Sequence, residues 1–294
     1  MTSARNIYSY SDFPRPQNIS SKLAIDMYRQ YSRRGLSCKE DRPVAILGLE
    51  YRLALSYMCV SLFGVLRKGS YKPSLSDTCL HETLVWKSDA EPLRKIKFRV
   101  SNQNQVVPSW SWMSRTGAID YVSLPTNFRG TEINIDYDLV GDFDESSDTF
   151  QKKHCQLRVE FRKKLGASLN IDPSNDSWIR VIDNSELVGA VSFDECDGCN
   201  GRCHGNLLQA AVIGSARGLL AQCELEGVDP RASDREQYIV LLVEKDPRMK
   251  EHATEPSDKQ PSGAAEKTYY NRIGLGIFET GWLESSTKEL VYVL

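Results

Sequence analysis

Residues 106–121 read VVPSWSWMSRTGAIDY, and this stretch decides how the rest of the chain is read. Trp110 and Trp112 alternate with Ser109, Ser111 and Met113. Side chains two apart on a strand share a face, so the pattern predicts one strand with both indoles pointing the same way. An indole buries on the order of 150–250 Å², so a pair side by side would anchor a core. Gly117 then marks a turn or bulge, and Ala118, Ile119 and Tyr121 resume an extended pattern. Two core tryptophans on a hairpin are therefore expected rather than a ligand-stacking platform.

Working outward toward the N-terminus, residues 1–18 hold Pro14 and Pro16 among polar residues and read as an extended lead-in. Residues 19–95 read as a helical segment. Ser20 or Ser21 caps a first helix carrying Leu23, Ala24, Met27, Tyr28 and Tyr31 at three- and four-residue spacing, and Gly35 stops it. Asp41 caps a second helix with Pro43 in its first turn. Val44, Leu47, Tyr51, Leu55 and Met58 are its expected packing face, and Gly64 its C-cap. The apolar run from Leu53 to Leu66 is too short to span a membrane and reads as buried helix. His81 to Trp86 is a short strand or helical turn.

Toward the C-terminus the period changes to two, and residues 96–294 read as a β-rich body. Ile96-Phe98-Val100, Ile133-Ile135-Tyr137-Leu139 and Leu157-Val159-Phe161 alternate with polar neighbours. Trp178 to Phe193 reads as two strands around a turn at Asp183 to Ser185. Leu207 to Ile213 fits strand or helix, and Tyr238 to Glu244 is a strand buried on both faces. Residues 246–267 are polar and Pro-containing, so they read as a flexible loop whose flanking strands still pair. The fold expected is α+β: an N-terminal helical segment packed on a mostly antiparallel β-rich body.

Composition narrows the function classes. The 294 residues are 40% apolar and 26% charged with a formal net charge of −2, which is globular and gives no electrostatic drive toward nucleic acid or an anionic membrane. No apolar run near Met1 resembles a secretory signal, so a cytoplasmic location is expected, with the sequons at Asn18 and Asn175 unmodified. The eight cysteines are then expected to be mostly reduced.

Several segments together resemble the region that follows the HET domain in fungal heterokaryon-incompatibility proteins. The first is Tyr31-Ser32-Arg33-Arg34-Gly35-Leu36-Ser37 followed by Asp41-Arg42-Pro43-Val44-Ala45-Ile46-Leu47-Gly48-Leu49; the second is Leu84-Val85-Trp86. The third and most specific is Pro108-Ser109-Trp110-Ser111-Trp112, close to the family's PSWSWAS, with Met113 in place of alanine. A weaker match covers Tyr238 to Val243, Tyr270-Asn271-Arg272-Ile273-Gly274-Leu275-Gly276 and Trp282. The HET domain itself has no counterpart, so the resemblance implies a HET-less relative or a truncated product, and it transfers no effector residue. It implies a non-catalytic module of nonself recognition linked to programmed cell death, serving as a regulatory or protein-interaction region with an unknown protein partner. A remnant without activity of its own is a further reading.

One constellation carries its own chemistry. Cys196-x2-Cys199 has zinc-knuckle spacing, Gly198 and Gly201 allow the turn, and Cys203 and His204 offer two further ligands, though adjacent residues chelate awkwardly. Cys223 or the pair His154 and Cys155 are candidate substitutes. The alternative function is thus a zinc-binding or redox-sensing module centred on Cys196 to His204, set against a plain reduced loop. Without that zinc no cofactor is expected. Asp136, Asp138, Asp142 and Asp144 fail the EF-hand pattern, and Gly274-Leu275-Gly276 lacks the third glycine of a dinucleotide fingerprint. Four histidines, His81, His154, His204 and His252, yield no readable nucleophile–base pair, so the chain is not expected to be an enzyme. His81 beside Glu82 fits a surface pair as well as a base.

Overall fold

The computed structural model describes residues 21–57, 59–68, 78–89, 91–98, 107–137, 155–165, 178–195, 207–223, 234–246, 268–284 and 288–294. The lead-in 1–18 and most of the loop 246–267 lie outside these residues.

Two helices open the described chain, α1 (Lys22–Ser32) and α2 (Arg42–Tyr57). The short hairpin β1 (Cys59–Leu62) and β2 (Val65–Lys68) follows, then α3 (Thr78–Leu84). Four short strands come next: β3 (Trp86–Ser88), β4 (Arg94–Lys95), β5 (Arg115–Thr116) and β6 (Ile119–Tyr121). They pair β3 with β6 and β4 with β5. β7 (Arg129–Gly130) and β8 (Asn134–Tyr137) lead into the long strands. These are β9 (Cys155–Leu165), β10 (Ile179–Asp183), β11 (Glu186–Phe193), β12 (Leu207–Arg217), β13 (Glu236–Lys245) and β14 (Tyr269–Glu279). A short helix α4 (Thr280–Glu284) separates β14 from β15 (Lys288–Val293).

The large sheet runs β10-β11-β14-β13-β12-β9-β15, and β15 returns to β14 in parallel register at Tyr269↔Tyr292 and Tyr270↔Val293. That return closes β9, β12, β13, β14 and β15 into a mixed five-strand barrel, otherwise antiparallel. Leu157, Val159, Phe161, Ile239, Leu241, Leu275, Ile277, Val291 and Val293 are buried in its cluster. The other face of β10 to β13 buries Val181, Val191, Val212, Val240 and Leu242 with Phe278 and Leu283. β13 is therefore covered on both sides, as its continuous apolar run predicts. Asn184 and Ser185, both with positive φ, make the two-residue turn expected between β10 and β11. The strands flanking residues 247–267 pair along their length. The architecture is α+β, N-terminal helices packed on a β-rich body. Among the described residues no helix is long and apolar enough to cross a membrane.

Four local expectations are corrected. The tryptophan segment is not a strand: Ser109 and Trp110 form a turn, and Trp112–Ser114 is a 3-10 turn capped by the Ser111 hydroxyl, which accepts from Met113 N at 3.0 Å. Closely spaced serines offer the backbone local partners that compete with a strand ladder. Both indoles are buried, but they diverge. Trp110 enters the barrel core and Trp112 the separate core under α1 and α2. Second, Leu53 to Leu66 is not one helix. α2 ends at Tyr57, and Phe63 and Gly64, with φ of 48° and 80°, make the β1–β2 turn rather than a helix cap. A Cβ on Gly64 would lie 1.9 Å from Trp112 Nε1, so the turn is also where the backbone meets that indole. Third, the expected strand Ile96-Phe98-Val100 is not formed at Ile96 to Phe98, which are irregular next to the β4–β5 pairing, and Val100 lies outside the described residues. Fourth, α2 is rotated from the expected orientation. It buries Arg42, Ile46, Glu50 and Leu53, while Val44, Leu47, Tyr51 and Leu55 are 62%, 60%, 64% and 43% exposed.

Candidate functional site

The rotation of α2 has a polar cause. Glu50, whose carboxyl burial raises above its usual range, accepts from Ser61 Oγ at 2.9 Å and Gly64 N at 2.6 Å, fixing the helix to the β1–β2 turn. Arg42, at the helix start, donates to the carbonyls of Ser32 at 2.7 Å, Gly117 at 3.2 Å and Arg115, and its guanidinium stands 5.2 Å from the Trp112 ring. Burial lowers its pKa to about 10, which still leaves it cationic at neutral pH. Tyr28 and Tyr31 complete the setting of Trp112, at centroid distances of 5.5 and 6.1 Å.

A second buried arginine does the same for the barrel. Arg272 on β14 is wholly buried, 3.3 Å above the Trp86 ring. It holds Asp194 in a two-point ion pair, Nε to Oδ2 at 3.1 Å and Nη2 to Oδ1 at 3.2 Å. It also donates to the carbonyls of Leu84, at 3.1 Å, and Trp86. Its own backbone N–H reaches Ser109 Oγ at 2.8 Å and its carbonyl accepts from Arg115 Nη2 at 3.1 Å. Trp86 Nε1 donates to Trp110 O at 2.9 Å, and Ser109 N to Leu294 O at 2.7 Å. Arg115 stands 4.0 Å from Asp194 and 3.4 Å from Glu195. The segments Tyr31–Ser37, Asp41–Leu49, Leu84–Trp86, Pro108–Trp112 and Tyr270–Gly276 thus meet at one junction, with Arg42, Arg115 and Arg272 as its connectors. Pro108, Trp86, Trp110 and Trp112 are all buried in it. A guanidinium in such surroundings needs partners on several sides, and backbone carbonyls plus one carboxylate provide them. This is packing machinery. Arg42 directs its donors at backbone carbonyls and Arg272 divides its own between carbonyls and Asp194, whereas Arg115 reaches the Arg272 carbonyl through Nη2 while its buried Nε and Nη1 make no hydrogen bond.

The metal candidates Cys196, Cys199, Cys203 and His204 lie outside the described residues, as do His154, His252, Asp138, Asp142 and Asp144. Glu195 is the last described residue before that loop and Leu207 the first after it. Among the described residues no group of three His, Cys, Asp or Glu side chains is placed to hold a metal. Cys223 is corrected as a substitute ligand: it is buried in the barrel cluster, where burial pushes its thiol up to about 12 and disfavours the thiolate a metal needs. Nor is His81 a surface residue. It is 3% exposed, bonds Thr131 O through Nε2 at 2.9 Å and packs edge-on to Phe128, while Glu82 bonds Ser21. Gly274 and Gly276 lie inside β14, where backbone pairing leaves no phosphate cradle.

Two surface features flank the junction on the helical side. One is an open cleft of about 480 Å³ whose walls include Arg33, Arg34, Lys39, Arg42 and Asp89, with Arg33 bonded to Asp89 at 2.9 Å. The other is the outward face of α2. Val44, Leu47, Tyr51 and Leu55 follow one another at spacings of three and four, forming an apolar stripe in solvent beside exposed Ala45 and Gly48. Contiguous exposed apolar stripes are where contact with another apolar surface is to be looked for. Periodicity found these residues but assigned them to the interior; it missed Arg42, Glu50, Asp194 and Arg272. The available signal was charge inside apolar runs, Glu50 between Leu49 and Tyr51 and Arg272 within the last long strand. No family model, no curated protein and no solved structure matches this chain.

Proposed function

We propose that this chain is a non-catalytic protein-interaction module of the heterokaryon-incompatibility kind, acting in fungal nonself recognition through the outward face of α2. The observation that carries it is the stripe of Val44, Leu47, Tyr51 and Leu55, held outward because Arg42, Glu50 and their partners anchor the opposite face. The resemblance supports the reading because the quoted segments are the ones that build the arginine junction, whose effect is to fix α2 in this orientation. Covering the three aliphatic side chains, Val44, Leu47 and Leu55, recovers part of the roughly 1.5–3 kcal/mol that full burial of each yields, and the Tyr51 ring adds to it, the surplus over ordering costs being what drives association.

The test is a cell-fusion assay in a filamentous fungus lacking the gene, with death of fused cells scored. The wild-type chain is expected to change the fate of fused cells and the Leu47→Glu/Tyr51→Glu variant to leave it as in the empty strain. Identical fates with and without the wild-type chain would overturn the proposal.

A further inference from the structure

The geometry points to a second copy of this chain as the partner of the α2 face, paired antiparallel about a two-fold axis passing near Leu47 and Gly48. The inference rests on the reading of that face as an interaction surface and names what covers it. Three observations lead to it. First, turning the stripe end over end about Leu47 and Gly48 sets Val44 of each copy against Tyr51 of the other and the two Leu47 side chains near one another, with Leu55 beyond the paired stretch. Second, the charges on this face are self-complementary. Arg52 is the only charged residue on the exposed side of α2, and Asp41, exposed on the turn leading into the helix, is its opposite. At about 100° per residue the two fall on the same flank of the stripe, six residues before Leu47 and five after it. Antiparallel pairing about a two-fold brings like flanks together and reverses their direction, so Asp41 of each copy meets Arg52 of the other. A parallel pair would bring together opposite flanks and lose both contacts. Third, the side chains nearest the axis are small where they need to be: a Cβ on Gly48 would meet nothing within 4 Å, so a second helix can approach its backbone closely. An isologous face of this sort satisfies the closure rule for a two-fold dimer.

Sedimentation velocity on the purified full chain, from nanomolar to high micromolar concentration, tests it with four variants checked for unchanged far-UV dichroism and urea midpoint. Wild type is expected to pass from monomer to dimer, and Leu47→Glu to remain monomer throughout. Asp41→Lys and Arg52→Glu, each setting like charges opposite one another, are expected to weaken the dimer roughly tenfold, because a two-fold dimer contains the contact twice. The Asp41→Lys/Arg52→Glu double variant restores the pairing with the charges exchanged and is expected to regain wild-type affinity. A wild-type chain that stays monomeric, a dimer indifferent to Leu47→Glu, or a double variant no tighter than the singles overturns the inference. None of these outcomes decides the fusion assay, in which a different protein on the same face still registers.

Discussion

Replacing Arg272 by methionine keeps the volume and removes the charge at the centre of the junction. The partner left behind is Asp194, 1% exposed, which would retain Arg115 at 4.0 Å but lose its two-point contact. Removing one side of a buried ion pair costs about 3–5 kcal/mol, and the residual Arg115 contact places the expectation near the lower end, about 3 kcal/mol. The carbonyls of Leu84 and Trp86 lose a donor as well, and each unsatisfied buried group adds about 1 kcal/mol or more. A total of about 5 kcal/mol or more is a large part of the 5–15 kcal/mol available to an ordinary fold. Urea unfolding read by tryptophan fluorescence should show a lowered midpoint at unchanged slope. The decisive comparison is with Asp194→Leu and with the double variant Arg272→Met/Asp194→Leu. Since the single change is costly mainly through the stranded carboxylate, the double variant should be more stable than the sum of the singles by about 2 kcal/mol. A loss below about 1 kcal/mol for Arg272→Met, or strict additivity of the pair, would refute the account of the junction.

Three further outcomes follow from other residues. Gly64→Ala sets a Cβ into the Trp112 indole at a φ of 80°, so it should cost about 3 kcal/mol or more and shift the Trp112 emission; a neutral substitution would contradict the packing of that turn. Because burial raises the folded-state pKa of Glu50, its contribution is complete below the unfolded carboxyl pKa and is lost as pH rises through the folded value. Glu50→Gln, which still accepts from Ser61 and Gly64, should therefore remove that decline and gain stability on wild type toward neutral pH, as thermal unfolding across pH will show. Maleimide labelling of the native chain followed by peptide mass spectrometry should modify exposed Cys38 and spare Cys223 until denaturant is added; equal rates would place the Cys223 thiol outside the core.

The long strands were legible because alternation is a strong signal where one face is buried. Leu157, Val159 and Phe161 lie inward on β9, and the uninterrupted run at Tyr238 to Val243 became the doubly covered β13. Failures came where polar groups decide. Hydrophobic periodicity on α2 cannot see that Arg42 and Glu50 have buried partners waiting more than ten residues away, so it chose the wrong face. The alternation of Trp110 and Trp112 resembled a strand, but the hydroxyls of Ser111 and Ser114 hold the backbone in a turn and the indoles enter two cores. The parallel contact of β15 with β14 that closes the barrel spans only two residue pairs, too short to leave a pattern. The exposed stripe was legible as residues and illegible as a surface, because its meaning depends on which side of the helix the rest of the chain occupies.

The arginine junction also sets the order in which the chain can assemble. Its members lie at Arg42, Leu84, Ser109, Arg115, Asp194 and Arg272, so hardly any contact in it is local in sequence. Helices α1 and α2 leave the ribosome early, yet the core they need, around Trp112, is steadied by groups made more than a hundred residues later. Contacts of such separation fold slowly, since loop closure precedes any return from packing. The chain should therefore behave as a single cooperative unit with a long-lived nascent stage in which the α2 stripe and its future core face are bare together, a stage at which chaperones are needed and the identity of the neighbouring nascent chain matters.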